Sequence, residues 1–165
     1  MKRAVLYLVL ILLTACGAPQ RAQYAMTLGD YQEAAVYYEE ALRQNPESIL
    51  LRNKLGRAYF EMKKYEKAEA LYAETRALSS DEPVATFYLG LTRIALGKRE
   101  AGFATLLEYK VPGGLYLTKA VHENAERLRK RPDLDSDTII AQMRQAMRKG
   151  QEAEDRRDRR LDHWQ

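Results

Sequence analysis

Small and aromatic residues recur along this chain at a fixed interval, and within each interval apolar residues fall at helical spacing. Ala34, Ala68 and Gly102 stand 34 residues apart. Tyr38, Tyr72 and Leu106 repeat four positions on; Gly56 and Gly90 repeat twelve positions back, with Ala22 in that slot of the first interval. A period of this length marks stacked supersecondary units, and it fixes the architecture more firmly than local propensity does. Each unit alone has a hydrophobic face that it cannot cover; stacking covers it and leaves a surface free to hold another molecule. The recurring small residues mark slots where packed elements of a unit approach closely. A larger side chain there would overpack, at a cost of roughly 1–3 kcal/mol. Gly29-Asp30, Lys63-Lys64 and Gly97-Lys98 are read as helix-breaking or polar turns. Pro46 and Pro83 stand near the starts of the next helices, where the missing N–H of proline has no partner to lose. Ser80 and Asp81 are candidate N-caps for the helix at Pro83.

After Val111-Pro112-Gly113-Gly114 the interval is lost. Leu117, Val121, Ala125 and Leu128 predict a helix ending in the basic cluster Arg129-Lys130-Arg131, which complements the macrodipole. Asp135-Ser136 predict the cap of a further helix, with Ile139, Ile140, Met143 and Met147 as its apolar stripe and Gly150 as its stop. These two helices are read as the polar cap that a stacked array needs. From Gln151 onward charges of both signs are dense, with only Leu161 and Trp164 large and apolar. That segment is read as a frayed helix or a disordered tail.

The three intervals resemble tetratricopeptide repeats and cover roughly residues 17–116. Leu55-Gly56, Tyr59, Tyr65, Ala68 and Tyr72 carry the resemblance in the middle unit, and Tyr31, Ala34, Tyr38, Ala41 and Pro46 in the first. The third supplies Leu89-Gly90, Gly102 and Leu106, but Arg93 and Arg99 stand where aromatics are expected and no proline closes it. The resemblance implies an all-α short solenoid of about three helix-turn-helix repeats with C-terminal capping helices. The expected boundaries are 1–15 for a leader, 16–116 for the repeats, 117–150 for the capping helices and 151–165 for a charged tail.

The resemblance also implies that each unit is a helix A crossing closely on a helix B where the small residues lie, with a peptide-binding groove on the A helices. Its positions map to Leu50, Asn53, Arg57 and Phe60 in the second unit and to Val84, Phe87, Leu91 and Ile94 in the third, with Gln23 and Met26 from the first. Such a groove suits a peptide with apolar anchors and one acceptor, such as a carboxylate. The lysine and asparagine set of chaperone-binding carboxylate clamps is missing. The alternative is that Val84, Phe87, Leu91 and Ile94 are covered by the C-terminal helices. Tyr31, Tyr38, Tyr59, Tyr65 and Tyr72 stand at repeat packing positions, which explains them better than an aromatic ligand platform. Tyr24, Tyr37, Tyr88 and Tyr109 have no such explanation.

Composition narrows the chemistry. The 165 residues carry a formal charge of +4. Residues 17–82 hold 9 Lys/Arg against 11 Asp/Glu, and residues 83–165 hold 16 against 12. That asymmetry is too mild to argue for nucleic acid. No convergent set of groups points to an enzyme. His122 and His163 stand apart, so a zinc site is not expected, and Asp133, Asp135 and Asp137 lack the glycine and closing glutamate of a calcium loop. No cofactor is implied.

The first residues read as a leader. Lys2 and Arg3 precede an apolar run from Ala4 to Leu13, too short to span a bilayer, which needs about 20 residues. Leu13-Thr14-Ala15-Cys16 resembles the lipobox of bacterial lipoproteins, and Cys16 is the chain's single cysteine. The resemblance implies cleavage before Cys16, diacylglycerol on its thiol and, as a rule in that family, an acyl chain on its amine. An ordinary secretory signal with an incidental cysteine is the alternative. Two or three acyl chains anchor stably where one does not, at about 0.8 kcal/mol per buried methylene. Gly17, rather than the aspartate of inner-membrane retention, implies the periplasmic face of the outer membrane. The extracytoplasmic face of a cell membrane is the alternative. The expectation is a lipid-anchored scaffold for protein or peptide partners in the envelope, resembling pilotins or outer-membrane assembly accessories. A regulator of a peptidoglycan synthase or hydrolase is the alternative.

Overall fold

The computed structural model describes residues 17–162; the segment expected to be a leader, Cys16, His163 and Trp164 lie outside them. Among the described residues there are eight α-helices and no strand: α1 Ala18–Leu28, α2 Tyr31–Gln44, α3 Ile49–Glu61, α4 Tyr65–Leu78, α5 Pro83–Ala95, α6 Arg99–Leu107, α7 Leu115–Arg129 and α8 Ser136–Asp162. The described residues divide into two compact units, one ending at Leu71 and the other beginning at Tyr72.

The 34-residue interval is written in the backbone as well as in the side chains. Gly29, Lys63 and Gly97 each adopt the left-handed conformation, with φ of 79°, 58° and 75°. Each is followed by an amide that reaches back to close the preceding helix: Asp30 N to Ala25 O at 2.9 Å, Lys64 N to Tyr59 O at 2.9 Å, Lys98 N to Arg93 O at 2.8 Å. This is the Schellman ending, which satisfies carbonyls that the helix leaves open. Lys63 holds the position where its two counterparts are glycine. A left-handed L-residue costs about 1–2 kcal/mol, partly offset by the larger unfolded-state entropy of glycine, so Lys63→Gly should stabilise by roughly 0.5–1 kcal/mol. Urea unfolding checks this; a loss of stability would show that the turn is not strained.

In the first unit α1, α2 and α3 pack in sequence through small residues. Ala22, Ala34, Ala58 and Ala68 are fully buried, as is the ring of Tyr38. Asp30 and Ser48 cap α2 and α3 by accepting from Glu33 N at 3.0 Å and Leu51 N at 3.3 Å.

The second unit is built around the α5–α6 crossing. A Cβ on Gly90 would lie 2.6 Å from Leu106 Cγ, and one on Gly102 would lie 2.7 Å from the Gly90 carbonyl. The expected close approach at these two glycines is therefore present, backbone against backbone. Glu82, not Ser80 or Asp81, caps α5, accepting from Ala85 N at 2.8 Å. Pro83 takes the first helical position. Asp135 caps α8 through Thr138 N at 2.8 Å.

Two further expectations change in α8. Gly150 does not stop the helix, which runs on to Asp162. It lies instead where α8 presses on α7, since a Cβ there would come within 2.9 Å of Leu117 Cα. Beyond it Glu154 is buried and accepts from Tyr116 N at 2.7 Å and Leu117 N at 3.3 Å. That carboxylate caps α7, whose own N-cap residue, Gly114, has no side chain to do so. Arg157 pairs with Glu154 and donates to Gly113 O at 3.1 Å. Packing therefore continues past residue 150.

The two arginines that replace repeat aromatics also have structural partners. Arg93 donates to Thr105 Oγ1 at 2.6 Å. Arg99 gathers three carbonyls at the end of α7 and in the loop after it: Leu128 at 2.9 Å, Arg131 at 2.7 Å and Leu134 at 3.2 Å. Its guanidinium lies 5.1 Å above the Phe103 ring. Among the tyrosines left unexplained, Tyr109 is core, packed edge-on to Phe87 at 5.9 Å with its hydroxyl donating to Met147 Sδ. Burial, with the Glu82 charge second, pushes that hydroxyl up to about 12. Tyr88 stacks on Tyr72 at 5.8 Å, and Tyr37 receives Arg21 at 6.0 Å.

Candidate functional site

Within the first unit, α1 and α3 flank a cleft of about 220 Å³ lined by Gln23, Met26, Thr27, Tyr38, Lys54 and Arg57. Gln23, Met26 and Thr27 share one face of α1 because they are spaced three and four residues apart, and Lys54 and Arg57 face them from α3 by the same rule. Tyr38 forms the back wall. Its ring is buried and its hydroxyl donates to Gln23 Oε1 at 3.3 Å, which orients that amide. Burial raises the Tyr38 hydroxyl above its ordinary value, with the Arg57 charge opposing, so it stays a neutral donor at physiological pH. Lys54 Nζ lies 6.0 Å from the Tyr38 ring. Arg57 is exposed, and its nearest acid, Glu61, is 3.9 Å away with the guanidinium side chain still 56 % open. A pair this long and wet holds its cation loosely. The cleft therefore offers two cations, an oriented amide, a threonine and an apolar edge at Met26.

Of the residues expected in the groove, Gln23, Met26 and Arg57 come together here. Leu50 is 62 % exposed and precedes Arg57 by seven residues, on the same helical stripe. Asn53 is buried, and its Oδ1 accepts no hydrogen bond from the described residues. Phe60 is buried and packs edge-on against Tyr65 at 5.4 Å, so it is core rather than groove.

The third-unit positions need correction. Phe87, Leu91 and Ile94 are buried to 1 %, 0 % and 1 %, and only Val84 remains open at 41 %. Most of α5 is apolar and buried, between α6 on one flank and α8 on another. Ser136 Oγ donates to Ile94 O at 2.9 Å, which fixes the start of α8 over the end of α5. Three of the four residues thus face the protein's own helices. Covering by the C-terminal region, the alternative reading, is what the second unit contains.

Lys54, Thr27 and Tyr38 were missed as cleft residues. The signal for Lys54 was available, since it stands three before Arg57 and four after Leu50; Thr27 likewise stands four after Gln23. Tyr38 could not be found that way, because a packing tyrosine and a cleft-floor tyrosine look alike in sequence. Cys16 lies outside the described residues. Among the described residues no group of three or more His, Cys, Asp or Glu is placed to hold a metal ion. Asp133 binds Arg131 and Asp135 binds Thr138. No helix among them is long and apolar enough to cross a membrane.

Comparison with known proteins agrees with this architecture. The tetratricopeptide repeat family matches residues 25–97. Among solved structures the chain is similar to the first TPR of Spaghetti (RPAP3) bound to the HSP90 peptide SRMEEVD. The TM-score is 0.56 and the identity 21 %, over 81 % of this chain and 92 % of that one. No curated protein matches the sequence. The all-α tetratricopeptide fold expected from the 34-residue interval is the fold found. Over residues 25–97 the chain is similar to tetratricopeptide repeats, and no catalytic family is indicated.

Proposed function

We propose that this chain is a lipid-anchored interaction scaffold that takes an acidic peptide segment of an envelope protein into the α1–α3 cleft and so helps assemble or hold an envelope complex. The observation that carries the reading is the open, loosely paired Arg57 beside Lys54, facing Gln23 and Met26 across a cleft of about 220 Å³. A carboxylate would meet two cations, a backbone or side-chain donor would meet the Gln23 carbonyl, and an apolar residue would lie on Met26. The peptide in the similar solved structure, SRMEEVD, is itself rich in acidic residues. Membrane attachment rests on Cys16 and the apolar run before it, and the outer membrane on Gly17 after it.

A photo-crosslinking residue at Gln23 tests the reading in cells. The expected adduct is an envelope assembly component, and it should vanish when Arg57→Glu is added. The same residue placed at Val36, exposed on α2, should give no such adduct. A peptidoglycan synthase or hydrolase in the adduct would favour a cell-wall regulator, and equal labelling from both positions would contradict the cleft. Cys16→Ser should move the protein from the membrane fraction to the soluble or precursor fraction. Intact-mass measurement of envelope-derived protein with an unmodified Cys16 would overturn the anchor.

A further inference from the structure

The outward face of α1 is the most apolar exposed helix surface next to the chain's anchoring residue. Tyr24 is 67 % and Leu28 66 % exposed. With the exposed Gln20 they stand at successive four-residue steps, so they form one stripe, opposite the buried Ala22 and Ala25. Arg21 borders this stripe, and α1 contains no acidic residue. Isolated exposed apolar side chains are ordinary on protein surfaces. These two differ in sharing a helix face with no partner among the described residues, and in where the chain lies just before them. α1 begins at Ala18, so Gly17 alone separates the helix from Cys16. One residue extends about 3.3–3.6 Å, so an acylated Cys16 would hold the start of α1 at the headgroup level.

We infer that α1 lies flat on the bilayer, with Tyr24 and Leu28 set into the headgroup region and Arg21 against lipid phosphates, so that the lipid and this stripe together orient the first unit. The inference rests on the lipid anchor proposed above. Tyrosine suits this depth because its ring is apolar and its hydroxyl stays wet. One stripe of two large side chains binds weakly alone, but the acyl chains already keep it at the surface, so its role is orientation rather than attachment. α1 rises about 15 Å from Ala18 to Leu28. An upright helix would carry Leu28 that far above the lipid, and a flat one keeps it at the same depth as Gln20.

Labelling separates the two. The mature lipoprotein carries no other cysteine, so Gln20→Cys, Leu28→Cys and Glu66→Cys each take a single environment-sensitive fluorophore after reconstitution into phosphatidylethanolamine–phosphatidylglycerol vesicles with brominated acyl chains. Glu66 is exposed on α4. Labels at positions 20 and 28 should be quenched to a similar extent, several-fold more than at 66. Adding Tyr24→Asp should relieve the quenching at 28 while the protein stays vesicle-bound and its circular dichroism is unchanged. A position-28 label no more quenched than the position-66 label, on protein whose mass shows an acylated Cys16, would overturn the flat orientation and leave the anchor standing. A position-28 label shielded from water but not quenched would assign the stripe to a protein neighbour and overturn it equally. A mass showing a bare Cys16 would sink the anchor and this surface together.

Discussion

Gly102→Leu should destabilise the second unit by about 3 kcal/mol or more, the upper end of the usual overpacking range. A single methyl at residue 102 would already stand 2.5 Å from Ile94 Cγ1, 2.7 Å from Gly90 O and 3.0 Å from Ile94 N. The Ile94 side chain could turn away, but the other two atoms belong to the α5 backbone and move only if α5 and α6 separate. α5 is held on its other flank by α8 through the Ser136–Ile94 contact, so that movement would open the core containing Phe87, Leu91 and Phe103. Replacing a helical glycine also favours the helix by about 1 kcal/mol, which is smaller than the clash and does not change the sign. Denaturant unfolding followed by circular dichroism measures the loss. An unchanged midpoint would mean that the helices are further apart than this crossing places them.

The second large effect is expected at Arg99. Arg99→Ala removes three charge-assisted hydrogen bonds to carbonyls at the end of α7 and the loop after it, together with the guanidinium above Phe103. The side chain is partly exposed, so water will replace some of these partners, and the net cost should be about 2–3 kcal/mol. For a protein of this size that corresponds to roughly 5–10 °C in melting temperature. Arg99→Lys should recover only part, because one ammonium cannot fan out to three carbonyls. Hydrogen exchange should locate the loss in α7 and α8. A loss confined to α5 and α6 would show that Arg99 acts by packing on Phe103 alone.

These two positions mark what the sequence showed and what it withheld. The interval through Ala34, Ala68 and Gly102 was legible because close helix crossings demand small residues, and only a repeating demand produces a period. The turns were legible for the same reason, although at Lys63 the backbone keeps the left-handed conformation with a residue that does not prefer it. Arg99 looked like a lapse in the repeat. It is a tie to α7, and nothing local distinguishes an arginine left to solvent from one that collects carbonyls about 30 residues away. Gly150 misled because glycine both ends helices and lets them touch; the capping carboxylate of Glu154, four residues on, decides for touching. α5 misled more. Val84, Phe87, Leu91 and Ile94 share the groove register, and a register cannot say whether another helix lies across it. The preponderance of apolar residues in α5, with Arg93 its single charge, was the available hint, since an open groove needs polar neighbours along its rim. In α3 those neighbours are present as Lys54, Arg57 and Glu61, and there the cleft is open.

The central claim is that the α1–α3 cleft recognises acidic peptides through Lys54 and Arg57. Binding of an array of acidic peptides ending in a free carboxylate, each paired with its amidated and neutral counterparts, tests it directly, with full-length mature protein and the Lys54→Glu/Arg57→Glu variant compared side by side. Both residues lie at the cleft surface, so circular dichroism and melting should stay near wild type. The account predicts that wild type selects acidic peptides with an apolar neighbour, and that charge reversal weakens them on the order of 10–100-fold, the worth of one or two charge-assisted contacts. Selection of the same peptides at the same strength by the charge-reversed variant would contradict it.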